Sequence, residues 1–244
     1  MFLAIMIDGG FLDSAKRTIL GGDFRIQHDK LGDKILEEIR RIYDSASVTL
    51  IRVIYYDCYP YTDDEAVAKE VKAKKDGFFN YLKSLPRWDV RTGTVRPAEL
   101  PLRITILNYD ELDTVSKEAL KSLRFSIQLK GRYERTFFSL SDSPEPVDIT
   151  LTRYRQKGTD IQLCTDMLAM AQKNGASLII CLLSGDSDFV PVIEEVKRTG
   201  AQVVLAYFRQ MPVSPELWRA CDERLEISPE FLRSIMKAKE DEAC

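Results

Sequence analysis

The sequence holds a single histidine, His28, among 244 residues. One imidazole cannot supply the two-histidine acid–base pair that some ribonucleases use. Its place just ahead of a long helical pattern reads as a surface loop position. No Cys/His set with zinc spacing is present. The five cysteines, Cys58, Cys164, Cys181, Cys221 and Cys244, are scattered, odd in number and without a CxxC pair. Cys164 and Cys181 fall inside apolar runs as small buried hydrophobes, which suits a reducing cytoplasm better than a disulfide framework. No apolar run approaches ~20 residues, so none reads as a membrane span. Residues 1–7 are apolar but few, lack a basic lead and run straight into Asp8, the pattern of a first strand rather than a signal peptide. Internal repeats and low-complexity tracts are absent. A net charge of −3 argues against a chain-wide basic coat, so a polyanionic partner must meet a local basic patch. Acidic balance also suits a protein that concentrates a divalent cation.

What is present is an alternation of strand and helix. Residues 2–7 read as a buried strand and 11–20 as a short helix. Leu31, Ile35, Leu36, Ile39 and Ile42 recur at helical spacing and predict an amphipathic helix over 29–45. Strand 48–56, helix 63–85 and strand 88–95 follow. Between 96 and 155 the pattern breaks into strand-like runs at 102–108, 123–129, 133–140 and 147–154, with a helix at 110–122 and a loop at 141–146. That stretch is too long for a plain βα connection and reads as a β-rich insertion. The alternation then resumes with helix 159–173, strand 176–183, helix 188–199 and strand 202–208. Ser214-Pro215-Glu216 and Ser228-Pro229-Glu230 each open a helix, with serine as cap, proline in the first turn and glutamate facing the dipole. The expected architecture is α/β, a doubly wound, mostly parallel sheet of about five strands. Residues 1–95 and 156–208 form its main domain, 96–155 the insertion and 209–244 a C-terminal helical extension.

Carboxylates gather where such a sheet binds ligands. Asp186 and Asp188 lie in the turn between strand 176–183 and the next helix, outside the carboxyl ends of the strands. A helix start capped by Ser184, Asp186 or Ser187 is the plainer reading of that turn. Asp8 ends the first strand ahead of Gly9 and Gly10, where a turn aspartate is again the plainer reading. On a helix advancing ~100° per residue, Ile161, Leu163, Cys164, Met167, Leu168, Met170 and Ala171 form an apolar arc. Asp160 falls near its middle and Asp166 at its edge. A carboxylate facing a core is costly unless paired, capped or bound to metal, and the helix dipole softens that cost in the first turn. Clustered carboxylates repel, and a cation is the simplest way to hold them. Oxygen-only ligands suit Mg²⁺ or Mn²⁺, and metal-activated water needs no histidine.

Three stretches together resemble a known family. Ile7-Asp8-Gly9-Gly10, Lys157-Gly158-Thr159-Asp160 through Asp166, and Ser184-Gly185-Asp186-Ser187-Asp188-Phe189 with Pro191 are similar to the NYN domain, the LabA-like branch of the PIN-like nucleases. The resemblance covers residues 1–95 and 156–208 by order and spacing. It implies a parallel α/β sheet with metal-binding acids at one edge and metal-dependent phosphodiester hydrolysis, mostly of RNA. It passes the metal-binding role to Asp8, Asp160, Asp186 and Asp188, with Mg²⁺ or Mn²⁺ as cofactor. The sequence departs from the family at Phe11, near where an asparagine is common, and at Thr159, where valine is usual.

On the substrate side, Arg155 and Lys157, with Arg153, lead directly into the Asp160 helix and are candidates for phosphate contact, an edge-strand role explaining them equally, with Ser184 beside the acids. Lys130, Arg132, Tyr133 and Arg135, followed by Phe137 and Phe138, mix cations with aromatics in a way that can grip single strands. A β-meander with its apolar faces inward is the plainer reading of them. Tyr55, Tyr56, Tyr59 and Tyr61 flank Asp57, where packing is the plainer role. The leading expectation is a cytoplasmic metal-dependent endoribonuclease. A degenerate NYN domain serving as an RNA-binding or regulatory adaptor is the alternative. An aspartyl-phosphate phosphatase wants a second aspartate at Gly10, and a dinucleotide site wants more glycines than Gly9-Gly10. The sequence leaves DNA open as a substrate and a homo-oligomer open as an assembly.

Overall fold

A computed structural model describes residues 1–21, 25–60, 65–104, 126–129, 132–135 and 147–236, with residues 65, 95–104, 126–129, 132–135 and 147–157 described by their backbone alone. The chain divides into two compact units, Met1–Thr94 with Gly158–Cys244, and Val95–Lys157.

In the larger unit, β1 (Phe2–Asp8) runs into α1 (Gly9–Leu20) and α2 (His28–Ile42). β2 (Thr49–Cys58), α3 (Glu65–Ser84) and the start of β3 (Trp88–Ile104) follow. After the smaller unit come α4 (Thr159–Asn174), β7 (Leu178–Leu183), α5 (Val190–Arg198), β8 (Gln202–Tyr207), α6 (Pro215–Ala220), β9 (Glu223–Glu226) and α7 (Pro229–Ser234). The strands lie in the order β3-β2-β1-β7-β8-β9, and each of these pairings is parallel. The expected mostly parallel α/β sheet is present.

The unbroken apolar runs follow from this topology, because a parallel sheet covered by helices is buried on both faces. All six residues of β7 and Leu3 to Ile7 of β1 are fully buried. Leu3, Ile5 and Ile7 pack with Leu12 of α1 and with Leu31, Ile35 and Ile39 of α2. Ala4 and Met6 pack on the opposite face with Leu163 and Met167 of α4 and with Ile193 and Val196 of α5. Each fully buried Leu or Ile contributes about 1.5–3 kcal/mol. From β1 the chain winds one way to β2 and β3 and the other way through β7 to β9. The switch point, where such sheets bind ligands, therefore lies between the ends of β1 and β7.

Two expectations are corrected. His28 is not a surface loop residue: it begins α2, is buried, and lies among the rings of Tyr55, Phe78, Tyr81 and Trp88, with Phe78 nearest at 5.2 Å. Its neighbours come from β2, α3 and β3, so local sequence gave no sign of them. The C-terminal segment is not purely helical. Both serine caps form, Ser214 accepting from the Leu217 N–H and Ser228 from the Phe231 N–H. Between the two helices, however, β9 adds a sixth parallel strand beside β8. Its four residues are too few and too charged to show a strand period, and only Leu225 is buried.

In the smaller unit, β3 continues to Ile104, and β6 (Val147–Lys157) is its neighbour in the strand order. β4 (Ser126–Leu129) and β5 (Arg132–Arg135) form an antiparallel pair, with Ser126 opposite Arg135. The helix expected at 110–122 and the loop at 141–146 lie outside the described residues. Among the described residues, no helix is long and apolar enough to cross a membrane.

Candidate functional site

Asp8 is the last residue of β1 and the N-cap of α1. Its extended backbone (φ −71°, ψ 106°) aims one carboxylate oxygen at the Phe11 N–H, 3.0 Å away. The chain can turn this closely because residue 9 is glycine. A Cβ there would fall 2.6 Å from the ring of Tyr55. The second oxygen of Asp8 accepts from the Ser184 hydroxyl at 3.2 Å. Ser184 follows β7 directly and is fully buried. Its Oγ in turn accepts from the Asp186 N–H at 3.4 Å. Asp186 caps the single 3-10 turn Ser187–Phe189, its carboxylate accepting from the Asp188 N–H at 3.0 Å. Asp160 is the second residue of α4, where Thr159 donates its hydroxyl to it at 3.4 Å.

These acids feel one another. Burial pushes the Asp8 carboxyl above its ordinary pKa. The Phe11 N–H and the Ser184 hydroxyl oppose that rise, and the negative charge of Asp160 adds to it. Asp160 is also raised, first by partial loss of hydration and then by the charges of Asp186 and Asp188. Asp160 is thus the member whose field reaches the other three. Among the described residues, none of the four carboxylates is ion-paired with a lysine or arginine.

Asp160 does not face the core as the helical arc suggested. It is exposed, and Ile161 is 72 % exposed, while Thr159, Leu163, Met167 and Ala171 form the buried stripe. Thr159 in the same turn is buried, so the first turn of α4 turns Thr159 inward and leaves Asp160 and Ile161 outward. Asp166 belongs to a different network. It accepts from the Tyr56 hydroxyl at 2.9 Å and pairs with Arg91 Nε at 3.1 Å, and Arg91 also reaches Asp89 at 2.6 Å. These contacts bind α4 to β2 and β3. Burial, and then the charge of Asp166, hold the Tyr56 hydroxyl far above its ordinary pKa.

The four carboxylates are hard oxygen donors of the type a divalent cation takes, without a competing ion pair among the described residues, and the Cys164 thiol also feels the charges of Asp160 and Asp188. Among the described residues, no three acidic, histidine or cysteine side chains stand close enough to form a closed metal cage. A cation that keeps most of its water and takes one or two carboxylates plus phosphate oxygens needs no such cage.

Ser184, a candidate for substrate contact, lies behind the acids and holds Asp8. Arg155 and Lys157 belong to β6, and their side chains lie outside the described residues, as do those of Lys130, Arg132, Tyr133, Arg135, Phe137 and Phe138. Tyr61 is outside them too. Tyr55 and Tyr56 are buried, and Tyr59 donates to Asp76 at 2.6 Å. Sequence reasoning missed the pair of Asp57 and Lys75. Asp57 is the last residue but one of β2, next to β1, which ends in Asp8. Asp57 is buried, its second oxygen lies 2.5 Å from Lys75 Nζ, and burial raises its pKa against the pull of that ammonium. Lys75 passes over the rings of Phe78 and Phe79 at 5.7 and 5.4 Å. A second aspartate near the end of a strand was a signal in the sequence. Its lysine partner, a helix away, was not.

The NYN domain family matches residues 4–228. No curated protein matches the sequence. Among solved structures, a protein of unknown function from Vibrio parahaemolyticus RIMD 2210633 covers 95% of each chain at 12% identity, with a TM-score of 0.45.

Proposed function

This chain belongs to the NYN domain family, within the PIN-like nuclease superfamily, and on that premise we propose that it is a metal-dependent endoribonuclease. The observation that carries the reading is the set Asp8, Asp160, Asp186 and Asp188: strand-end and helix-start acids at the switch point, free of cationic partners among the described residues, with Asp8 and Asp160 raised partly by their acidic neighbours. Mutual repulsion of this kind is maintained at a cost and is relieved by a bound cation. One or two carboxylates of this set, together with phosphate oxygens, would hold a largely hydrated Mg²⁺ or Mn²⁺, which would supply Lewis-acid chemistry for in-line phosphodiester hydrolysis. Ser184 and the Phe11 N–H keep Asp8 oriented and oppose the rise in its pKa that burial causes. Arg155 and Lys157 are proposed to meet phosphates of the strand, and RNA is the proposed substrate. The four described cysteines are free thiols, which fits a cytoplasmic setting.

One observation favours a catalytically degenerate, RNA-binding adaptor. Phe11 presents a ring near the acids, 5.8 Å from the ring of Phe208, where an asparagine would present an amide. Labelled RNA and DNA, incubated with the protein in Mg²⁺, Mn²⁺ or chelator, separate the readings. Cleavage of RNA that chelator abolishes supports the nuclease. Binding of RNA without cleavage in either metal supports the adaptor. Equal or faster cleavage of DNA would replace the substrate.

A further inference from the structure

The turn bearing Asp186 and Asp188 is held from outside by the segment after β8. Gly185 is pressed on two sides: a Cβ on it would lie 2.6 Å from the Pro212 carbonyl oxygen and 2.8 Å from Cε2 of Phe11. Its own carbonyl accepts from the Ser214 N–H at 3.2 Å. The segment is anchored on both faces of the sheet. Phe208 is fully buried and Met211 packs in the cluster containing α1 and α2. Val213 and Leu217 pack in the cluster containing α4 and α5. Residues 208–217 therefore cross the carboxyl edge of the sheet as a strap, touching the chain at the residue between Ser184 and Asp186.

We propose that this strap, with the ring of Phe11, is the device that positions Asp186 and Asp188, and that Gly185 is a positioning residue because only a missing side chain lets the strap close. Asp8 and Asp160 are fixed by other contacts, the Phe11 N–H and Ser184 for one and the first turn of α4 for the other. Loosening the strap thus moves two of the four acids relative to the rest. The relevance to cleavage rests on the nuclease reading above, but the positioning itself is measurable without it.

Ser214 gives a selective test. Its backbone (φ −66°, ψ 140°) already has a proline conformation, so Ser214→Pro deletes the N–H donor without forcing the residue's own φ. It also deletes the hydroxyl cap of α6, which Ser214→Ala deletes alone, so the difference between the two variants reports the contact with Gly185, the lost bond together with the push of the proline ring on the same carbonyl. Gly185→Ala attacks the same contact from the other side, and its 2.6 Å neighbour is a backbone oxygen that cannot rotate away. Hydrogen exchange is read on a peptide spanning residues 184–189 of the full chain in chelator, alongside the Mn²⁺ concentration needed for half-maximal RNA cleavage. Relative to Ser214→Ala, Ser214→Pro is expected to exchange several-fold to about tenfold faster in that peptide, the weight of one backbone hydrogen bond. Gly185→Ala is expected to do so relative to the parent. Both should need more Mn²⁺. If Gly185→Ala does not fold, the two Ser214 variants decide. Folded Ser214→Pro with the exchange and Mn²⁺ requirement of Ser214→Ala would overturn the proposal. If the parent cleaves nothing, the nuclease reading fails, and the exchange comparison alone decides the strap.

Discussion

Ser184 donates its hydroxyl to Asp8 across the switch point at 3.2 Å, tying the end of β7 to the end of β1. Ile7 and Leu183 are register partners, so the two residues following them emerge side by side. The same Oγ accepts from the Asp186 N–H. One buried hydroxyl thus connects the acid that ends β1 to the acidic turn that follows β7.

Ser184→Ala should therefore act on Asp8 more than on the fold. Loss of the hydroxyl should cost about 0.5–1.5 kcal/mol, the net worth of a neutral hydrogen bond, or more because a carboxylate is the acceptor. Asp8 loses one of the three groups that oppose its raised pKa, the Phe11 N–H, the Ser184 hydroxyl and the Gly10 N–H, so it rises further. The acid limb of a pH–rate profile should shift to higher pH relative to the parent. A drop in rate with an unmoved limb would place Ser184 elsewhere in the mechanism.

The raised carboxyls set the sign of a stability effect. Between the ordinary aspartate value of 3.8 and the raised folded values, the native state of Asp8 or Asp160 holds more proton than the unfolded chain. Stability falls as pH rises through that window, and the loss is complete above the folded values. Removing one charge should recover part of it: Asp160→Asn in chelator should melt higher than the parent at neutral pH. The gain should vanish below pH 3.8, where the parent's carboxyls are protonated in both states. A melting temperature lowered at neutral pH would show that Asp160 is a stabilising first-turn acid instead.

Asp166 should behave in the opposite way. Its charge is matched by Arg91 and its oxygen is occupied by Tyr56. Asp166→Ala should destabilise by about 1–3 kcal/mol through the unpaired partners it leaves. Metal should stabilise this variant as much as it stabilises the parent. Denaturant melts with and without Mn²⁺ test both halves. A lost metal effect would move Asp166 into the acid site.

Much of the site was legible because its residues sit at chain positions that topology fixes. Asp8 and Asp186 flank apolar runs, Gly9-Gly10 and Gly185 mark tight turns, and a parallel sheet brings the ends of its central strands together. What was not legible depended on partners far along the chain. His28 looked like a loop residue because its ring neighbours begin at Tyr55. Asp57 looked like one polar residue in a tyrosine-rich loop because Lys75 is on α3. The arc that turned Asp160 and Ile161 inward was correct for Leu163, Met167 and Ala171. It failed at Asp160 and Ile161 although Thr159 beside them is buried, because periodicity groups residues on a face but does not say how much of that face its neighbours cover.

The stretch 96–155 is proposed to be separable from the scaffold, and the geometry of its flanks provides a test. The Thr94 carbonyl lies 4.0 Å from Cys58 Sγ, and the Thr92 carbonyl accepts from Gln162 on α4 at 3.4 Å. The outgoing and returning chains are thus close together in the larger unit, and a short Gly/Ser linker spans such a gap at small entropic cost. Replacing 96–155 with that linker should leave a cooperative melt and alter substrate choice. Loss of folding would make the stretch part of the core.

Asp186→Asn separates a metal ligand from a cap. The change keeps size and polarity and removes one negative charge. As a cap, asparagine serves as well as aspartate, so the bond from the Asp188 N–H persists and the turn should hold. If Asp186 only caps, cleavage, metal response and melting temperature should all match the parent. If it is a ligand, RNA cleavage should fall by at least about a hundredfold, the scale seen when a preorganised group that stabilises charge is lost. The melting shift produced by Mn²⁺ should shrink with it. The metal-free protein should be as stable as the parent or slightly more so, since Asp160 loses the strongest of its charged neighbours. The two roles thus predict an unchanged and a diminished metal response at unchanged fold, and thermal melts with and without Mn²⁺ distinguish them even before an RNA substrate is found.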